Sequence, residues 1–258
     1  MLTLKDVTKA FGSRRILDGL ALEIAAGEST ALLGANGSGK TTTLRCIVGL
    51  AKPDTGRITI GGIDLARDPI GARARCSYLP QRSVFPPTLT VREALALVAR
   101  LRRAPTGAVD RELASCGLVE MADGNVGELS GGQRQRLAIA VALLPDVDLY
   151  LFDEPSAHLD PIASRMLFAR ARQLRAAGRT LLFTTHVPAD VRCLATRVVV
   201  LRDGRIQAGG AGEFELKRYE RKLERDLWGD DDEHAMAGGD HDDRVGVDRR
   251  LYGPGAVA

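Results

Sequence analysis

Gly34-Ala35-Asn36-Gly37-Ser38-Gly39-Lys40-Thr41 is the stretch from which the fold of this chain can be read. It has the full spacing G-x-x-x-x-G-K-[ST] of a phosphate-binding loop. The preceding residues 29–33 read as a short buried strand, and residues 42–48 read as the start of a helix. Glycines at 34, 37 and 39 allow backbone angles that other residues resist, so successive N–H groups can turn toward one anion. The following helix adds the partial positive charge of its N-terminus. In this reading Gly34, Ala35, Asn36, Gly37, Ser38, Gly39 and Thr42 surround the phosphates of a nucleotide. Lys40 reaches the outer phosphates and the Thr41 hydroxyl ligates Mg²⁺.

Working outward, residues 1–24 predict strands of an antiparallel subdomain, because apolar residues alternate with polar ones at Leu2, Leu4 and Val7 and again over residues 16–24. Phe11 lies shortly before the loop strand, where it either stacks on a nucleotide base or belongs to the core. Pro53-Asp54-Thr55-Gly56 and Gly61-Gly62 are turns around a strand at residues 57–60. A short strand ends at Leu79-Pro80-Gln81, and Pro86-Pro87 demands a loop after it. Thr90-Val91-Arg92-Glu93 has the form of a capping box opening a helix to about residue 102, and a second helix is expected over 109–116. Residues 82–145 thus predict a helical lobe inserted into an α/β core. Strands follow at 148–152, 180–184, 197–201 and 205–207, with a helix from Pro161 to about residue 175. Apolar strands alternating with helices imply a mostly parallel sheet.

The core is expected to end near Gly209-Gly210-Ala211-Gly212. Residues 213–228 predict a charged helix whose narrow stripe, Leu216, Tyr219, Leu223 and Leu227, docks on its own core or on a partner. Residues 229–258 predict a disordered tail with eight acidic and three basic residues, leaving residues 1–228 at +8 against an overall +3. That dispersed surplus is too weak for nucleic-acid binding. His234 and His241 lie among acids, but a solubilising tail explains them better than a metal site. With 45% hydrophobic, 27% charged and 4% aromatic residues, the 258-residue chain has the composition of a soluble globular protein. No apolar run reaches bilayer length, and no signal-peptide anatomy is present. Cys46, Cys76, Cys116 and Cys193 are scattered and read as reduced thiols in a cytoplasmic protein.

Five segments then follow the loop in order: Leu79-Pro80-Gln81; Leu129-Ser130-Gly131-Gly132-Gln133; Leu149-Tyr150-Leu151-Phe152-Asp153-Glu154; Ser156-Ala157-His158-Leu159-Asp160; and Thr184-Thr185-His186. Ser130 with two glycines at a helix start makes a second anion cradle. Asp153 and Glu154 end an apolar strand, where ligands of open α/β sheets bind. Two acids there suit a cation, held by Asp153, and an attacking water, oriented and deprotonated by Glu154.

Over about residues 2–212 the chain resembles the ATP-binding-cassette ATPases. The resemblance implies their fold: a P-loop core with a mostly parallel sheet, an N-terminal antiparallel β subdomain and the inserted helical lobe. It implies that Gln81 touches Mg²⁺ or the attacking water, and that His186 bonds the γ-phosphate and senses its loss. It further implies that Ser130, Gly131, Gly132 and Gln133, with Asp160 of the D-loop, act across an interface on the ATP of an opposing cassette. His158 is assigned no role. Departures are Phe11, where the family often has Tyr, and Val141, where Arg is common.

The implied activity is ATP hydrolysis by a dimer, expected to be a homodimer, that drives integral-membrane permease subunits from the cytoplasmic face. A soluble cassette serving cofactor or cluster assembly, or regulation, is the alternative. A cassette acting on nucleic acid is disfavoured, since neither a long coiled coil nor a second cassette is present. By analogy with small export and maturation systems the expectation leans toward export. Nothing in the chain names a cargo.

Overall fold

A computed structural model of the chain describes residues 1–156 and 159–211. The expected helix over 213–228, the tail over 229–258 and His158 lie outside the described residues.

Among the described residues, two sheets organise the fold. The first is antiparallel, in the order β2-β1-β4-β5, and comprises β1 (Leu2–Phe11), β2 (Arg14–Ile24), β4 (Thr55–Ile60) and the short β5 (Ile63–Asp64). The second has the order β10-β9-β3-β8-β7-β6. Its members are β3 (Ser29–Leu33), β6 (Cys76–Leu79), β7 (Leu149–Asp153), β8 (Thr180–Thr184), β9 (Arg197–Arg202) and β10 (Arg205–Ala211). Strands β9, β3, β8, β7 and β6 run parallel, and β10 closes one edge antiparallel to β9.

The central strands are buried on both faces, which explains their unbroken apolar sequences. Alternate side chains of β7 serve different cores. Leu149 and Leu151 pack with Leu32, Leu182 and Val199 beneath the antiparallel sheet and α1 (Lys40–Ile47). Tyr150 and Phe152 join Ala31, Leu181 and Phe183 under helices on the other face. Those helices include α3 (Val91–Arg102), α4 (Ala108–Ser115), α5 (Gly131–Leu143), α6 (Pro161–Ala176) and α7 (Pro188–Leu194), while α2 (Pro69–Ala74) precedes β6.

The capping box is present: Glu93 N–H donates to Thr90 Oγ1 at 3.1 Å, and Thr90 N–H to Glu93 Oε2 at 2.9 Å. Between β6 and β7 the described elements are α3, α4, two 3₁₀ turns and α5.

Several expectations need correction. The helix after the phosphate loop begins at Lys40 rather than Thr42. The last strand does not stop at Gln207, because Gly209 and Gly210 pair with Val199 and Val198 after a register shift. An edge strand tolerates such glycines, since its partner supplies the ladder. Helices α2 and α7 went unpredicted; both are short and open with Pro at the first turn, and their apolar patterns are too brief to show a period. Phe11 is 56% exposed at the end of β1, which excludes its core alternative, and the Lys9 ammonium lies 5.3 Å from its ring centroid.

Candidate functional site

The neighbouring strands β3, β8, β7 and β6 are parallel, so their carboxyl ends share one edge of the sheet. Residues 34–39 leave β3, His186 follows β8, Asp153 ends β7 with Glu154 next, and Gln81 follows β6. The sheet order thereby gathers segments that lie more than a hundred residues apart. An open cleft of about 460 Å³ is lined there by Asn36, Gly37, Gly39, Lys40, Thr41, Thr42, Gln81, Glu154 and His186, joined by Arg14 and Ile16 of β2.

The loop conformation needs its glycines. Gly39 sits at φ 108°, and a Cβ there would lie 2.9 Å from Leu17 Cδ2 and 3.1 Å from the Ile16 carbonyl. At Gly34 a Cβ would meet the Leu201 carbonyl and Ser38 Oγ at 2.4 and 2.5 Å. Gly39 caps α1 without any side-chain bond, which leaves the leading N–H groups of the helix for an anion. Ser38 Oγ is buried with no hydrogen-bond partner among the described residues. Lys40 is 6% exposed and donates to the carbonyls of Gly34 at 2.8 Å and Ala35 at 3.2 Å. Burial holds its pKa below the usual lysine value, against the opposing pull of Glu154 and Asp153.

Asp153 does not line the cleft, but three hydroxyls donate to its buried carboxylate. Thr41 and Thr184 reach Oδ1 at 3.1 and 2.8 Å, and Tyr78 reaches Oδ2 at 3.2 Å. Burial and the neighbouring Asp153 charge raise the Tyr78 pKa, so the phenol keeps its proton and remains a donor. The oxygens of Thr41 and Asp153 suit a hard divalent cation better than a soft metal. Among the described residues no cluster of three or more His, Cys, Asp or Glu side chains is placed to hold a metal, so a cation here would draw further oxygens from phosphate and water.

Glu154 adopts φ 49°, a left-handed conformation costly for a residue with a side chain. Its N–H is held by Thr184 twice, at 2.8 Å through the hydroxyl and 3.1 Å through the carbonyl. The Gln81 amide donates to Glu154 Oε2 at 2.7 Å. His186 Nδ1 stands 3.7 Å from Glu154 Oε1, with its side chain 56% exposed. Behind these groups the buried Asp190 of α7 accepts from Ser156 and from Thr185, at 2.7 Å from the latter, tying the turns after β7 and β8 together.

The remaining expected site residues lie elsewhere. Phe11 is not among the residues lining the cleft. Ser130 caps α5 and exchanges bonds with Gln133, N–H to side chain in both directions, at 3.2 and 2.8 Å. Of residues 130–133, Gly131 lines a neighbouring cleft that also reaches Gln81 and Glu154. Asp160 caps α6 through the N–H groups of Ile162 and Ala163, and its Oδ2 would lie 2.7 Å from a Cβ on Gly132.

Arg14, Tyr78 and Thr184 were not singled out from sequence. Arg14 carries no motif, and only the β1–β2 hairpin brings it over Gly37. For Thr184 a signal existed: a hydroxyl at the end of an apolar strand, next to Thr185-His186.

The ABC transporter family profile matches residues 17–157. The Nod factor export ATP-binding protein I of Paraburkholderia xenovorans (strain LB400) is 41% identical over 209 residues, covering 80% of this chain and 69% of that protein. A solved ATP-binding subunit of an ABC transporter superposes with a TM-score of 0.79 at 30% identity, covering 85% of this chain and 93% of that one. A dimeric cassette in a post-hydrolysis state, bound to ADP and Pi, gives a TM-score of 0.73 at 29% identity, covering 82% and 98%. With the family's profile spanning more than half its length, this chain belongs to the ABC transporter family, as one of its ATP-binding, ATP-hydrolysing cassettes.

Proposed function

We propose that the chain works as a pair of identical cassettes on the cytoplasmic face of a membrane, where ATP hydrolysis drives separate permease subunits. The observation that carries this reading is the meeting of Lys40, Thr41, Glu154, Gln81 and His186 in one cleft, with Asp153 bonded behind Thr41. In it, the N–H groups of residues 34–39 and the first turn of α1, including Thr42, bind the phosphates, and Lys40 moves from its loop carbonyls to the outer ones. Arg14 adds a cation at the cleft wall. Thr41, Asp153 and Gln81 would hold Mg²⁺, which when bound neutralises charge developing on the phosphoryl oxygens. Glu154 orients the attacking water and accepts its proton, while the neutral Gln81 amide fixes the carboxylate without changing its charge. His186, which lines the same cleft beside Glu154, bonds the terminal phosphate.

The α5 cap at Ser130 to Gln133 lines none of this cleft, which supports its acting on the nucleotide of the second copy, with Asp160 beside it. Two ATP molecules would then join the pair, and hydrolysis would release it. Among the described residues no helix is long and apolar enough to cross a membrane. The printed name of the relatives, an export ATP-binding protein, supports placing the membrane-spanning partner on a separate chain. The export system named for the relatives favours export over import. Cargo contacts fall to the permease.

The test uses tagged Glu154→Gln chain in its native cell, with membranes solubilised gently in ATP and Mg²⁺. Co-purification of a polytopic membrane protein is the expected result. An ATP-dependent homodimer accompanied only by cytosolic proteins would refute the transporter assignment.

A further inference from the structure

We propose that Tyr78 is a positioning residue for the divalent-cation site: its hydroxyl fixes the Asp153 carboxylate so that Oδ1 stays beside Thr41. Strands β6 and β7 are paired with Tyr78 opposite Leu151, and from there the phenol reaches forward to Asp153 Oδ2 at 3.2 Å. The χ2 torsion of an aspartate is soft and nearly two-fold, so bonds on one oxygen alone leave the carboxylate free to turn. Thr41 and Thr184 both hold Oδ1. Among the described contacts, Tyr78 is what holds Oδ2.

The bond from Tyr78 to Asp153 ties β6 to the end of β7. Two residues beyond Leu79, the end of β6, stands Gln81. The phenol thus also braces the strand that delivers the amide bonded to Glu154. Removing a bonding partner of a metal-ligating carboxylate costs about 10–100-fold in metal affinity. One of three hydroxyls is lost here, so the lower end applies.

This inference rests on the ATP and divalent-cation reading above, and the experiment separates the two. Mn²⁺ serves as the probe. It is titrated into the Glu154→Gln chain loaded with equimolar ATP, at concentrations well above the ATP dissociation constant so that little nucleotide is free, with free Mn²⁺ followed by electron paramagnetic resonance, and compared with the same chain carrying Tyr78→Phe. Phenylalanine keeps the ring and deletes only the hydroxyl. The expected result is an Mn²⁺ dissociation constant raised about tenfold, with ATP affinity in EDTA unchanged. Unchanged Mn²⁺ affinity would overturn the proposal. So would an equal loss of metal-free ATP affinity, which would make Tyr78 a packing residue. Absence of Mn²⁺–ATP binding in the Glu154→Gln parent would refute the nucleotide reading, and this proposal with it.

Discussion

Thr184→Val is the perturbation that asks most directly whether one hydroxyl organises the end of β7. Thr184 is fully buried, and valine matches its shape, so packing barely changes. Two bonds disappear: the donation to Asp153 Oδ1 at 2.8 Å and the acceptance from the Glu154 N–H at 2.8 Å. A hydrogen bond to a charged group contributes about 1.5–3 kcal/mol. The Glu154 N–H keeps the Thr184 carbonyl at 3.1 Å, so its loss adds the low end of a neutral bond, about 0.5 kcal/mol. The expected destabilisation is therefore about 2–3.5 kcal/mol. Glu154 at φ 49° has lost half its anchoring, so turnover should fall more than ATP affinity does. Equilibrium urea unfolding and steady-state ATP hydrolysis measure the two effects. Thr184→Ser, which keeps the hydroxyl, should retain turnover. A valine variant within about 0.5 kcal/mol of wild type, the range of an ordinary surface substitution, and equally active would refute the bonding scheme.

Further outcomes are expected. Lys40→Ala should abolish ATP hydrolysis, and turnover near the wild-type rate would remove Lys40 from the site. Gly132→Ala should weaken ATP-dependent pairing measured by size exclusion, because its Cβ would press on Asp160 Oδ2 at 2.7 Å, and that carboxylate is pinned by two N–H groups. Pairing as in wild type would show that Asp160 yields without cost. The Asp54 pKa is held below its ordinary 3.8 by hydrogen bonds from Lys9 and the Ala10 N–H. The unfolded chain then binds more protons at acid pH, so this stabilisation is present above about pH 4 and is lost as pH falls through the folded pKa. Urea-unfolding stabilities of wild type and Lys9→Met should differ at pH 7 and draw together as pH falls through the folded Asp54 pKa. A constant gap would mean that the pair contributes nothing through its charge.

Some features were legible because they are local. The spacing of residues 34–41 needs no distant partner to be read, and neither does the Thr90–Glu93 capping box, whose two bonds close within four residues. The buried strands could be read because both of their faces are covered, which leaves unbroken apolar runs. Phe11 was ambiguous for the opposite reason. One aromatic near a hairpin carries no information about which side of the hairpin meets the cleft, and the register Phe11↔Arg14 puts Arg14 and Ile16 on the cleft wall instead.

By itself the sequence determined the side chains on offer: a loop with phosphate-loop spacing, two acids closing an apolar strand, a glutamine, a histidine and a Ser-Gly-Gly helix start, each in a segment whose local structure follows from short-range sterics and hydrogen bonding. Tertiary structure alone decided how they meet. The order β3-β8-β7-β6 puts four strand ends on one edge, Thr184 bends the chain at Glu154, and Tyr78 and Thr41 bind opposite oxygens of Asp153. Those relations depend on which strands are neighbours, and that is settled by burial of two apolar faces across the whole chain rather than by any stretch of it.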